Sequence, residues 1–97
     1  MYASIHRYQM NATTIDDVAE VGWRLGAVLA PSPGFVAAVV VVEATTSMLF
    51  TMRLFEDRAS LMASNPLAER WMAQHLGILE PRATEVTSGE VVAQKGL

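Results

Sequence analysis

Three pairs of side chains in this 97-residue chain combine useful chemistry with informative spacing. His6 and Tyr8 stand two apart in IHRYQM, Thr51 and Arg53 two apart in FTMRLF, and Trp71 and His75 four apart in WMAQH. An imidazole, with an ordinary pKa near ~6.5, is the side chain best suited to accept a proton at neutral pH. A neighbouring phenol can orient a substrate oxygen, and a guanidinium can hold the anion left behind. Residues two apart share one face of a strand, and residues four apart share one face of a helix. The three pairs form one site only if the elements that carry them bring them together. Each pair also has a plain structural use: hydrogen-bonded strand polarity for the first two, core packing for the third.

The elements can be read from periodicity and breakers. Residues 2–10 alternate as a strand, with Tyr2, Ser4, His6, Tyr8 and Met10 on one face. A helix follows, capped at Thr13 or Thr14 with Asp16 and Asp17 in its first turn. Val18, Val21, Gly22, Leu25, Val28 and Leu29 make its apolar stripe, Trp23 lies off it, and APSPG ends it. Residues 35–42, FVAAVVVV, form a short β-branched run that reads as a strand, and residues 47–55, after a turn at 44–46, as another. EDRASLMASN opens a second helix. Asn65-Pro66 predicts a fresh cap and a second helical piece over 66–76, ended by Gly77. After Glu80-Pro81, a last strand is predicted at about 84–93. Met10, Met48, Met52, Met62 and Met72 read as gap-filling core residues.

The order β-α-β-β-α-β is the ferredoxin-like pattern, an α+β fold with a four-stranded antiparallel sheet and both helices on one face, in a single domain over 1–97. In that topology the third strand lies beside the first, so Thr51 and Arg53 neighbour His6 and Tyr8. The second strand lies at an edge. Its run is apolar on both alternate faces, and only one can pack on the helices, so a second copy of the chain is expected to cover the other.

Composition excludes much. With no Cys there is no disulfide, thiolate nucleophile or cysteine-held metal, and reducing cytoplasm is the expected location. The net charge is −3, and the seven basic residues are scattered singly, which disfavours nucleic acid. No apolar run approaches the ~20 residues that cross a bilayer, and no membrane association is expected. Gly22, Gly26 and Gly34 match no phosphate-loop spacing.

IHRYQM on the opening strand, PGF leading into the second, LFEDRASLMASNPLAERWM running from third strand into helix, and GEVVA near the end together resemble the dimeric α/β-barrel superfamily. Within it, the chain is most similar to the small proteins related to antibiotic-biosynthesis monooxygenases, over nearly its whole length. The resemblance implies a homodimer forming a dimeric α/β barrel, with a small, mainly apolar pocket between sheet and helices. It also implies a cofactor-independent monooxygenase acting on a small aromatic or polyphenolic substrate, with no cofactor and no metal. In that reading His6, Tyr8 and Arg53 are the catalytic residues, with Ser4, Thr51, Trp71 and His75 as substrate contacts.

The superfamily is functionally broad, so the residues leave open whether the chain is catalytic. The alternative is a non-catalytic small-ligand-binding or dimerisation module. A heme-binding or heme-degrading protein is a third reading, but that branch pairs an axial His on the second-half helix with an Asn on the first strand. Here the first strand offers Ser4 and His6, and His75 lies late. An open, wet pocket in which His6, Tyr8 and Arg53 converge favours the enzyme, and a pocket filled by Phe, Met and Leu favours the module. His6 facing the helices, or Arg53 paired to Glu90 across the dimer, would remove the geometric basis for the chemistry altogether.

Overall fold

The computed structural model describes residues 1–9, 15–75 and 82–96. The elements are β1 (Tyr2–Gln9), α1 (Ile15–Leu29), β2 (Phe35–Glu43), β3 (Met48–Phe55), α2 (Arg58–His75) and β4 (Arg82–Glu90). All pairings are antiparallel, and the strands lie in the order β2-β3-β1-β4, with β2 at an edge and β3 beside β1. This is the ferredoxin-like α+β architecture. The expected caps at Thr13 or Thr14, Met10, the stop at Gly77 and the Glu80-Pro81 turn lie outside the described residues.

The stripe on α1 behaves as its spacing dictates. Val18 and Leu29 are buried, Val21, Gly22, Leu25 and Val28 are half-buried, and Trp23 is 81 % exposed. Gly34 then turns the chain into β2 with φ +77, and a Cβ there would lie 2.5 Å from Ser60 Oγ, so the position admits only glycine. α1 packs on β2 and α2, whereas α2 lies over β1 and β3.

The second helix corrects the sequence reading. Asp57 caps it, accepting a 2.7 Å bond from the Ser60 N–H, which holds the exposed carboxyl below its ordinary pKa. The helix then runs unbroken through Asn65-Pro66. Leu61, Ser64 and Ala68 are all buried, and this stripe at three- and four-residue spacing continues through the proline, which itself is exposed. Burial along one face outweighs the local break signal. Ser64 Oγ donates to the Leu61 carbonyl at 2.7 Å within that turn. Met62, one residue past Leu61 and so rotated off the stripe, is 41 % exposed and does not fill the core. Met48 is buried, and Met52 and Met72 are half-buried. The last strand begins earlier and ends sooner than expected. Its partner β1 starts at Tyr2, opposite Glu90, and a 2.9 Å bond from the Val91 N–H to the Met1 carbonyl closes the ladder.

Register assigns the two sheet faces. Ser4, His6 and Tyr8 lie opposite Arg53, Thr51 and Leu49, which lie opposite Ala38, Val40 and Val42. That face meets the helices, with Tyr8, Val18 and Leu49 at its core and Val21, Val40 and Val42 packed around them. The other face carries Ile5, Met52 and Val39 in one row, and Arg7, Phe50 and Val41 in the next. Ile5, Val39, Val41 and Phe50 are 43 %, 44 %, 54 % and 36 % exposed, so the β2–β3 side of this face is exposed and mainly apolar, while on its β1–β4 side Arg7 lies over the Phe50 ring and pairs with Glu85 at 3.8 Å. Among the described residues no helix is long and apolar enough to cross a membrane.

Candidate functional site

Antiparallel pairing places His6 directly across from Thr51 and Ser4 across from Arg53, so the long Arg53 side chain reaches diagonally to the imidazole. Arg53 Nη2 lies 3.2 Å from His6 Nε2, and Ser4 Oγ lies 2.9 Å from the same nitrogen. Tyr8 Oη lies 3.3 Å from His6 Nδ1 and donates to Met72 Sδ at 3.8 Å. The His6 and Tyr8 rings are nearly parallel, with centroids 6.0 Å apart. Ser88 on β4 donates to Ser4 Oγ at 3.1 Å.

These contacts select one protonation state. A guanidinium has donors only, so Nε2 must present its lone pair to Arg53 and the proton sits on Nδ1. His6 then donates from Nδ1 to Tyr8 Oη, and Ser4, which accepts from Ser88, donates to Nε2. The relay Ser88–Ser4–His6–Tyr8–Met72 has a consistent direction from end to end. Imidazolium would place a second cation against Arg53. Burial, and then the Arg53 charge, hold the His6 pKa below its ordinary value, against a smaller upward pull from Glu69. Burial raises the Tyr8 pKa, opposed by Arg53 and by a hydrogen bond with Thr51, so the phenol is neutral near pH 7.

Arg53 is the unusual member. It is only 6 % exposed, and its Nη1 is buried without a hydrogen-bond partner among the described residues. No carboxylate lies within ion-pair distance of it among those residues, although Glu69 acts on it from farther away. Burial pulls its pKa down, but a guanidinium remains charged. A buried cation with a free donor is costly unless something completes it. The site is therefore preset for an acceptor oxygen or an anion.

His6 does face the helices, the orientation that on sequence grounds removes the geometric basis for the chemistry altogether. The fold reverses that reasoning, because the enclosed space beside the cluster lies between the sheet and the helices, and Tyr8 and Arg53 turn to the same side. That space is lined by His6, Tyr8, Thr51 and Arg53 from the sheet, Gly22, Leu25, Gly26 and Leu29 from α1, and Ala68 and Met72 from α2. Its volume is only about 20 Å³, enough for one water and too small for an aromatic ring. It is thus neither the wide wet pocket nor the wholly filled one that the sequence reading set against each other.

Ser4, His6, Tyr8, Thr51 and Arg53 are brought together. Trp71 is half-buried on α2 and is not among the lining residues, and the His75 side chain lies outside the described residues. Met72 and Ser88 were not anticipated. Met72 could have been found from its four-residue spacing to Ala68 on the buried face of α2, whereas Ser88 depends on the β1–β4 register, which the sequence does not announce. Among the described residues, no three His, Asp or Glu side chains group as a metal site would need.

No protein-family model matches the chain, and no curated protein sequence matches it significantly. Solved structures do. The cofactor-independent oxygenase SnoaB from Streptomyces nogalater superposes with a TM-score of 0.72 at 18 % identity, covering 99 % of this chain and 95 % of its own. A candidate antibiotic biosynthesis monooxygenase from Deinococcus radiodurans gives a TM-score of 0.76 at 10 % identity, covering 100 % and 98 %. Rv0793 from Mycobacterium tuberculosis gives 0.71 at 14 % identity, covering 98 % of each chain. The chain therefore has the fold of the small antibiotic biosynthesis monooxygenase-like proteins over its whole length.

Proposed function

We propose that the protein is a homodimeric, cofactor-independent monooxygenase of small aromatic or polyphenolic substrates, with His6, Tyr8 and Arg53 as its catalytic group. The observation that carries this reading is Arg53, a buried guanidinium whose Nη1 has no partner among the described residues and whose Nη2 lies 3.2 Å from a neutral imidazole. A substrate hydroxyl arriving at Arg53 would draw the guanidinium off His6 Nε2, and with the Ser4 hydroxyl rotated away that lone pair is free to take the hydroxyl proton. Arg53 then holds the oxyanion, and Tyr8 stabilises the imidazolium from Nδ1 by accepting its hydrogen bond. The electron-rich anion reduces O₂. The substrate supplies all four electrons as a ring C–H para to the ionised hydroxyl becomes a quinone carbonyl, with one oxygen atom retained and the other leaving as water. The likeness to SnoaB supports this class of reaction. Ser4 and Thr51 assist by fixing His6 and Tyr8. The exposed apolar residues on the β2–β3 side of the sheet support the homodimer, since packing two such faces together would cover them and close a dimeric barrel.

A second reading, a non-catalytic ligand-binding module, is favoured by one feature: in the resting state Arg53 and Ser4 occupy the basic nitrogen of His6. Oxygen consumption with an air-oxidisable polyphenol separates the two. His6→Ala, corrected for the folded fraction, is expected to lower turnover by the ~10²–10⁴ that general-base catalysis contributes. Wild-type turnover no faster than that of His6→Ala supports the module.

A further inference from the structure

The walls of the inner cavity are of two kinds. Leu25, Leu29, Ala68 and Met72 are apolar, whereas Tyr8 and Arg53 bring hydrogen-bond donors. Of the two terminal nitrogens of Arg53, Nη2 lies 3.2 Å from His6 Nε2, and Nη1 is buried with no hydrogen-bond partner among the described residues. The guanidinium is more than nine-tenths buried, no carboxylate among those residues comes within ion-pair distance of it, and Glu69 acts on it only from farther away. A cation so placed carries a desolvation cost that a counter-charge in contact with it would offset. Tyr8 supplies a second donor. Its oxygen lies against His6 Nδ1, and its own proton goes to Met72 Sδ at 3.8 Å, a weak acceptor that gives way readily to an anion.

We infer that this cavity is a halide site, in which chloride is held by Arg53 Nη1 and the Tyr8 hydroxyl as the internal counter-ion of the guanidinium. Size and donors together select the ion. The space, about 20 Å³, takes one group of roughly the size of a water molecule, and chloride is little larger. A carboxylate, sulfate or phosphate is too large, and would press further oxygens against leucine and methionine side chains that offer them no donor. Chloride sheds its water more cheaply than those oxyanions and tolerates apolar contact on its remaining sides. The surface is a poor competitor for it, since the net charge is −3 and the exposed Arg7 and Arg24 are paired with Glu85 and Glu20. The inference adds a regulation to the proposed function: chloride occupies Arg53 at rest and competes there with the substrate's oxygen. Only that competition rests on the monooxygenase reading, and the binding of chloride does not.

The test starts from whole protein dialysed into sodium gluconate, with sodium chloride exchanged in at constant ionic strength and followed by ³⁵Cl nuclear magnetic resonance. The expected result is an excess line width that saturates with chloride and is removed by added bromide. Arg53→Met, of similar length but uncharged, is expected to bind chloride at least ~10-fold more weakly, the loss of one charge-assisted hydrogen bond, with its fold checked by circular dichroism. Wild-type crystals soaked in sodium bromide provide a readout that needs no variant: an anomalous peak beside Arg53 Nη1. A line width that never saturates, equal binding by a folded Arg53→Met, or bromide found only on the surface would each overturn the inference. In polyphenol turnover, chloride is expected to raise the apparent KM and leave kcat unchanged. Saturable chloride binding with an unchanged KM would leave the halide site standing and defeat the reading of Arg53 as the holder of the substrate oxyanion. Turnover in a protein that binds no chloride would do the reverse.

Discussion

Val40 and Val41 are adjacent in the sequence, yet the register sends them to opposite sides of the sheet, and substituting each should separate folding from assembly. Val41 is at the exposed face beside Phe50, its cross-strand partner. Ile5, Val39, Val41 and Phe50, each a third to a half exposed, leave ~300 Å² of apolar surface per protomer, worth ~7 kcal/mol when buried at ~25 cal/mol per Å². Two protomers gain about twice that, against an association cost of ~4–15 kcal/mol, so the margin is small. Val41→Asp puts a short carboxylate, unable to reach water by stretching, into the middle of the patch in both copies. At several kcal/mol per buried ion, the dissociation constant should rise by at least ~10³. Val40 packs on Gly22 inside the subunit, so Val40→Asp should instead unfold it. Sedimentation velocity and circular dichroism read the two effects. The expected pattern is a dimeric wild type, a folded monomeric Val41→Asp and an unfolded Val40→Asp. A wild type that is monomeric at micromolar concentration, or a Val41→Asp that remains dimeric, would refute the reasoning.

Two other outcomes follow from the structure. Because burial and the Arg53 charge hold the folded-state pKa of His6 below its ordinary value of ~6.5, the unfolded chain takes up this proton first as the pH falls. The contribution of His6 is therefore fully present above about pH 6.5 and shrinks as the pH drops from there towards the folded value. His6→Gln should flatten the fall in thermal midpoint over that window, and an unchanged slope would contradict the neutral assignment. Pro66 sits inside a continuous helix, where it cannot donate to the Met62 carbonyl. Pro66→Ala should thus stabilise the protein by ~1–3 kcal/mol in denaturant titrations, and a loss of stability would show that the turn depends on proline.

Much of this arrangement was legible in the chain, for identifiable reasons. Strand alternation places His6 with Tyr8 and Thr51 with Arg53, and the order of elements makes β1 and β3 neighbours, so the convergence needs no tertiary detail. The continuous α2 was not legible, because Asn65-Pro66 is a strong local signal and the buried stripe of Leu61, Ser64 and Ala68 that overrides it matters only once the sheet is in place. The size of the inner cavity was equally hidden. It depends on how close α1 comes to β2, and that is set by the missing side chain at Gly22 against Val40. That no described residue partners Arg53 Nη1 is a fact about what fails to reach it, which spacing along a chain cannot express.

The central claim is that the buried His6–Tyr8–Arg53 group directs O₂ chemistry on a deprotonated aromatic substrate. Turnover under ¹⁸O₂ with mass spectrometry of the product tests it most directly, using dialysed wild-type protein with His6→Ala and Arg53→Met as controls. The account predicts one ¹⁸O atom per product molecule, formed by the wild type and at least ~10²-fold more slowly by either variant. Product oxygen derived from water, or equal incorporation in all three proteins, would contradict it.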